Sequence, residues 1–397
     1  MRTKMASLST DQDNSSRRDM TNQKLQGISV VVPTFGRVDM CRNLLASLQH
    51  SRQKLNEPSE VIVIDDSPAG EAEQIKLLCE EYNSRYYRKK IGVSAKRNLG
   101  ATIASHPIVL FVDSDCEATP ELLSEHLALY RKNKRVVSVL GRTVFKGRSS
   151  FIWKALQFTP FLEPFRFADT EGQRVWGPSN NLSCRKEVFE QVGGFDETFP
   201  SKPGGEDVDF GYRLYRQGYM LLANPDAIVY HTTETWKTFS QTLNRLFHWG
   251  RGEFNLYYNY DEDLHYDCPK AAALVLLMVP VALVVSFLDK DPKWLLILPL
   301  FLGLNYLSRA ILHFWYHPER LRRTAHVMSA EFFLWVYECG LTFECLKRRW
   351  LVPLYHRLII APEEASVIWD MQVINTWTVF AQLVISVGLV QLIVSRG

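Results

Sequence analysis

The stretch "FVDSD" (Phe111 to Asp115) ends an apolar run on two carboxylates, Asp113 and Asp115, with Ser114 between them. Carboxylates within reach of one another repel unless a cation lies between them. Mg²⁺ and Mn²⁺, which take oxygen ligands and phosphates, suit that place. A solvated turn is the alternative reading, because Asp and Ser are common turn formers. "GGEDVDF" (Gly204 to Phe210) puts Glu206 and Asp207 behind two glycines at the start of a helix. Carboxylates there either cap the helix dipole or, at Asp207, act as a general base toward an attacking hydroxyl. "IVYH" ends on His231, an imidazole that is either structural or offers a neutral nitrogen to a metal.

Three further stretches carry polar side chains where strands or helices begin and end. "SAKRNLG" (Ser94 to Gly100) opens a helix with Ser94 as its cap and with Lys96, Arg97 and Asn98 following. It is either an ordinary basic helix or, as a helix N-terminus flanked by cations, a seat for a diphosphate. "PTFGR" (Pro33 to Arg37) is a strand exit with a glycine turn, and "DDS" (Asp65 to Ser67) is a second strand exit or a helix cap.

The elements that must hold these residues are legible in the hydropathy. "ISVVVP", "VIVID" and "IVLFVD" are short Val- and Ile-rich runs of the kind buried on both faces of a parallel sheet. Between them Met40, Leu44, Leu45 and Leu48 share one helical face, and Ile75, Leu78, Cys79 and Tyr82 another. The alternation predicts an α/β sheet with right-handed crossovers up to about Asp115. Beyond it, strands are expected near Val136 to Gly141 and Ala227 to His231, and helices near Arg185 to Val192 and Phe210 to Gln217. Ligands of such open sheets sit outside the carboxyl ends of the strands, where the "PTFGR", "DDS" and "DSD" ends converge.

From Ala271 the texture becomes continuously apolar. Spans are expected over 271–288 and 293–309, joined by a tight turn, and over 376–394. The segment between them carries Arg309, Arg320, Arg322, Arg323, Lys347, Arg348, Arg349 and Arg357, which by the positive-inside rule faces the cytoplasm together with the N-terminal domain. Residues 327–346 mix glutamates with aromatics and are expected to form an interfacial or packed helix. The expected location is therefore the cell (inner) membrane, crossed more than once, with the N-terminal domain in the cytoplasm. Residues 1–26 are polar, lack the apolar core of a secretory signal and are expected to be a disordered tail. Residues 27–255 are expected to form the globular domain and 256–397 the membrane-associated region. A net charge of +3 gives no overall reason to expect a nucleic-acid partner, and seven scattered cysteines without a CxxC pair suggest neither a disulfide framework nor a zinc site.

Taken in order, "VVVPTFGR", "VIVIDDS", "GVSAKRNLG", "VLFVDSD", "GPSNNLSCRKEVFEQVGGFDETF", "GGEDVDFGYRLYRQGY" and "IVYH" resemble the family 2 glycosyltransferases over about Ile28 to Gly252. That resemblance implies the GT-A fold, a Rossmann-like mixed sheet with flanking helices, and transfer of a sugar from a nucleotide diphosphate donor to an acceptor hydroxyl with inversion. It implies that Pro33, Thr34 and Arg37 border the nucleotide, with Asp65 or Asp66 on its base. Lys96 and Arg97 would approach the diphosphate, and Asp113, with Ser114 beside it, would meet the ribose or a metal-bound water. Asp115, with Asp113 and His231, would hold Mn²⁺ or Mg²⁺. Asp207, next to Glu206, matches the catalytic base, and Trp176, Gly177, Asn180 and Asn181 match the region lining donor sugar and acceptor.

Processive members of that family carry a QxxRW signature. In "QTLNRLFHWGRGE" (Gln241 to Glu253) Gln241 and Arg245 are differently spaced and no Arg-Trp pair follows. Single sugar addition to a lipid-linked or other membrane acceptor, with UDP as the favoured nucleotide, is the leading expectation. A processive polysaccharide synthase and a catalytically silent nucleotide-sugar-binding scaffold are the alternatives. Trp249 and Arg251 either gate the site or belong to an amphipathic helix lying on the membrane, which is the favoured expectation.

Overall fold

The computed structural model describes residues 27–200, 204–267, 270–360 and 376–395. The expected tail over 1–26 lies outside the described residues. From Ile28 the chain runs β1 (Ile28–Thr34), α1 (Val38–Lys54), β2 (Ser59–Asp65), α2 (Ala69–Glu81), β3 (Arg85–Arg88), α3 (Val93–Ile103) and β4 (Ile108–Val112). β1 pairs in parallel with β2 on one side and β4 on the other, and β2 pairs in parallel with β3. The strand period of two sorts the side chains between two cores. Val30, Val32, Val61 and Val63 pack with Leu44, Leu45, Leu48, Ile75 and Leu78 on one face. Val31, Ile62, Ile64 and Phe111 pack with Ala101, Phe189 and Phe195 on the other. Each such fully buried aliphatic side chain contributes roughly 1.5–3 kcal/mol. α3 lies close on the sheet because Gly100 has no Cβ, which would sit 2.2 Å from Val31 Cγ1.

The chain continues through β5 (Cys116–Ala118), α4 (Leu122–Lys132), β6 (Val136–Lys146), α5 (Phe151–Leu156), β7 (Gly172–Arg174), β8 (Asn181–Arg185), α6 (Lys186–Gln191), α7 (Glu206–Arg216), β9 (Met220–Thr232) and α8 (Phe239–Asn259). The strand order is β3-β2-β1-β4-β8-β6-β9-β5, with β7 on β9. β8 runs antiparallel between β4 and β6, so the sheet is mixed and carries helices on both faces, which is the expected fold class. Two strands run longer than the hydropathy suggested, β6 to Lys146 and β9 from Met220. β3 was not expected at all: its sequence "RYYR" is polar because it is an edge strand with two exposed residues. α3 starts at Val93 with Gly92 at the cap position, and Ser94 lies buried inside the first turn instead of capping it.

The C-terminal part holds β10 (Leu264–Tyr266), α9 (Ala271–Leu288), α10 (Ile297–Tyr316), α11 (Thr324–Arg348), β11 (His356–Leu358) and α12 (Thr376–Ser395). Ala271–Leu288, with a mean hydropathy of 2.8, and Pro292–Trp315, at 1.8, are long and apolar enough to cross a membrane. α9 leaves Val281, Leu283, Val284 and Phe287 exposed. α12, the last apolar run, is tied to α10 by Asn305 Nδ2 donating to Gln382 Oε1 at 3.1 Å.

The segment expected as an interfacial or packed helix lies within α11, which packs along α8. Both helices carry a glycine at the crossing. A Cβ on Gly250 would stand 1.9 Å from the Tyr337 carbonyl oxygen, and one on Gly340 2.0 Å from that of Phe247. α11 also carries three buried glutamates with arginine partners. Glu331 and Glu338 pair with Arg309 of α10 at 3.0 and 2.8 Å, and Glu344 with Arg251 of α8 at 2.8 Å. α8, expected to lie on the membrane surface, thus has one face packed on α11. Arg251 faces Glu344, and the Trp249 ring packs on Trp236 and Phe161 at centroid distances of 5.6 and 5.9 Å.

Candidate active site

One cavity of about 1180 Å³ opens beyond the carboxyl ends of β1 and β4. It brings together Pro33, Thr34, Arg37, Asp66, Lys96, Arg97, Asp113, Ser114, Asp115, Trp176, Asn180, Glu206, Asp207 and His231. Three other residues that the resemblance assigns to the site do not line it. Asp65 is fully buried, and its carboxylate is consumed locally: Oδ1 accepts from the Ser67 amide at 2.9 Å and from the Ser67 hydroxyl, and Oδ2 from Tyr86 Oη at 2.8 Å. Gly177 lies under Leu140, whose methyls would be 2.5 Å from a Cβ there. Asn181 ties strands together by donating to the carbonyls of Arg142 and Ala227 at 3.0 and 2.9 Å.

The antiparallel register of β5 on β9 sets Cys116 opposite His231, which carries the neighbouring Asp115 to the same place. Ligand atoms of Asp115, Cys116 and His231 lie within 4.8 Å of one another, and His231 Nε2 is 3.6 Å from Asp115 Oδ1. His231 Nδ1 is 3.0 Å from the Thr232 carbonyl oxygen, which can only accept. In the neutral imidazole this leaves the Nε2 lone pair turned toward Asp115. Phe145 packs on the imidazole at a centroid distance of 5.2 Å. Asp113 stands apart from this cluster, since its Oδ1 accepts from Arg97 Nη2 at 2.9 Å.

Asp115 also receives a cation. Arg37, in the left-handed region at φ 60°, places Nη1 2.7 Å from Asp115 Oδ2. Burial works against ionisation of Asp115, but His231, Arg37 and Arg245 outweigh it and hold the carboxyl below the usual aspartate range. Lys96, buried in α3, donates to the Thr34 carbonyl at 2.8 Å and to Asp66 Oδ1 at 2.5 Å, joining the ends of β1 and β2.

Arg97 is the hub of the opposite wall. Its Nη2 reaches Asp113, its Nη1 reaches Glu206 Oε1 at 3.0 Å, and its buried Nε has no hydrogen-bond partner among the described residues. Glu206 in turn accepts from the Gly204 amide at 2.8 Å, closing the turn that starts α7. Asp207 follows, half-buried at the cavity wall, with Oδ1 accepting from the Val208 amide at 2.9 Å. Burial, and then the Glu206 charge beside it, push the Asp207 carboxyl up to about 7, with Arg97 pulling the other way. A carboxyl poised there is suited to general base work at neutral pH.

Sequence reasoning weighed Trp249 and Arg251 as gates to the site but missed the rest of the contribution of α8. Gln241, Asn244, Arg245, His248, Trp249 and Glu253 all line the cavity. The guanidinium of Arg245 lies 4.0 Å over the Trp236 ring, and burial lowers its pKa to about 10, against the attraction of Asp115. The signal was present as spacing: Gln241, Arg245, Trp249 and Glu253 recur every four residues and so share one helical face.

Residues 29–195 match the family model described as Glycosyl transferase family 2. Over 247 residues the chain is 28% identical to a chondroitin synthase of Pasteurella multocida (strain Pm70), covering 52% of this chain and 24% of that protein. It is also 28% identical over 232 residues to a validoxylamine A glucosyltransferase of Streptomyces hygroscopicus subsp. jinggangensis (strain 5008), covering 50% of this chain and 54% of that one. A crystal structure of S. aureus TarS aligns with a TM-score of 0.39 at 17% identity, covering 59% of this chain and 43% of that chain. The matching part thus spans between about a quarter and about half of these relatives' length.

Proposed function

We propose that this chain, whose residues 29–195 are a glycosyltransferase family 2 domain, transfers a single sugar from a nucleotide diphosphate donor, UDP being favoured, to a hydroxyl of a lipid-linked glycan or other membrane acceptor, with inversion. The observation that carries the reading is the convergence of Asp115, Arg97 and Asp207 on one cavity at the carboxyl ends of the parallel strands. The nucleotide sits against Pro33, Thr34, Arg37 and Asp66, and the diphosphate lies near Lys96, Arg97 and Arg245. Asp115 and His231 fit a divalent ion such as Mn²⁺ or Mg²⁺, since a carboxylate and a correctly turned imidazole face each other there. Such an ion would supply positive charge beside the leaving diphosphate.

Asp207 takes the proton from the acceptor hydroxyl as its oxygen attacks the anomeric carbon from the side opposite the diphosphate. One base suffices, and no covalent enzyme intermediate forms. Glu206 does not share this role, because its carboxylate is engaged by Arg97 and by the Gly204 amide. The apolar helices α9 and α10 hold the site at the inner face of the cell membrane, where lipid-linked acceptors are presented.

A processive synthase is the second reading. Gln241, Arg245 and Trp249 at the cavity wall favour it, as does likeness to a protein named chondroitin synthase. The test is release of nucleoside diphosphate from a panel of nucleotide sugars by the full chain with Mn²⁺ or Mg²⁺. Turnover of one donor, with one sugar added per acceptor, supports the first reading, and polymer supports the second. No turnover with any donor contradicts both.

A further inference from the structure

The cavity has two chemically different ends. Its cations, Arg37, Lys90, Lys96, Arg97 and Arg245, accompany Asp66, Asp113 and Asp115. Along α8 the wall then changes character. Trp249 lies against Gly204, with Cδ1 2.8 Å from where a Cβ would stand, so the turn that carries Asp207 marks the middle of the cavity. Glu253 is eight residues beyond Arg245, or about 12 Å along the helix at roughly 1.5 Å per residue.

Around Glu253 the lining is Leu256, Tyr257, Tyr337 and Leu358, with no Lys or Arg among the described residues of that end. Glu253 is 7% exposed and accepts hydrogen bonds from the hydroxyls of Tyr257 and Tyr337. Lys270, whose charge reaches Glu253, is paired with Asp267 at 3.4 Å and does not line the cavity.

We infer that the end of the cavity enclosed by Glu253, Tyr257, Tyr337, Leu256 and Leu358 is the acceptor subsite, and that it takes an uncharged sugar. This rests on the glycosyltransferase reading above. Rings and aliphatic side chains offer flat apolar surface to a pyranose face, while the carboxyl and the two phenols offer hydrogen bonds to its hydroxyls. An anionic sugar would lose its hydration there with no cation to face, beside two carboxyl groups, Asp207 and Glu253.

The experiment is equilibrium binding of fluorescently labelled oligosaccharides to the full chain in detergent with UDP and Mn²⁺. Matched ligands end in a neutral hexose, an N-acetylhexosamine or a uronic acid. The wild type should bind a neutral end at least about tenfold more tightly than a uronic-acid end, and Glu253→Gln and Tyr337→Phe should each weaken neutral-end binding roughly five- to tenfold. Uronic-acid ends binding as tightly as neutral ones, no neutral end binding, or neutral-end binding unchanged in both variants would each overturn the inference. The discrimination between ends is read on the wild type and requires no variant to fold. Protection of the wild type against thermal unfolding by nucleotide sugars reports separately on the donor reading. A donor that protects while neutral ends fail to bind refutes the acceptor subsite alone.

Discussion

Arg97 and Glu206 are 109 residues apart in the chain and 3.0 Å apart in the fold, both almost fully buried. The same guanidinium holds Asp113, so one side chain of α3 ties the exit of β4 to the first turn of α7. The proposed base at Asp207 owes its position to this link. Its raised pKa comes first from burial and then from the company of Glu206, which Arg97 keeps in place.

Removing the link leaves two carboxylates without their cation. Arg97→Met should destabilise the protein by about 3–5 kcal/mol, the usual consequence of breaking a buried ion pair from one side. Chemical denaturation in detergent measures it. Arg97→Lys should recover only part of the loss, because an ammonium cannot fork to both partners.

The metal corner predicts a ranking of variants. Asp115→Ala and His231→Ala should each weaken Mn²⁺ binding, by about 10-fold or more, while Asp113→Asn, whose carboxylate bonds to Arg97, should weaken it less. Calorimetric titration of the full chain with Mn²⁺ in the presence of UDP gives the three affinities. Equal loss in all three would place Asp113 among the ligands.

The parallel half of the sheet was legible in the sequence because strands buried on both faces read as unbroken Val and Ile runs. β3 was not, since an edge strand can stay polar. The loop residues of the site were legible as an ordered set of motifs, yet their partners were not. Asp65 and Asp66 look alike on paper, and only the fold turns one inward to Ser67 and Tyr86 and leaves the other on the cavity. The wall formed by α8 was hidden for another reason. Its face carries Arg, Trp and Glu at helical spacing, which reads equally as a membrane-surface helix until the Gly250–Gly340 crossing places α11 against it.

That crossing makes its own prediction. Gly250→Ala puts a Cβ onto the Tyr337 carbonyl oxygen, and the neighbour is backbone, which cannot swing aside. The two helices must separate, with a loss of roughly 1–3 kcal/mol, the usual range for overpacking. Gly303→Ala, where among the described residues no atom outside its own stretch of helix lies within 4 Å of such a Cβ, is the control and should not lower the melting temperature.

Asp207 links stability to pH in a direction opposite to most aspartates. Its carboxyl is raised from 3.8 to about 7 in the fold, so the folded state holds the proton more tightly than the unfolded chain. Below about pH 4 both states are protonated and the group is neutral to stability. As pH rises toward 7 the unfolded chain ionises first and stability falls. Asp207→Asn should therefore melt above wild type at pH 8, with the difference closing as pH is lowered toward 4. Thermal melts across that range read the trend.

Comparing wild type with Asp207→Asn under saturating donor and acceptor tests whether Asp207 is the base of sugar transfer. The wild-type rate should climb with pH through about 7, and the variant should be slower by roughly 10²–10⁴-fold while still binding the donor. A variant that transfers sugar at the wild-type rate would contradict it.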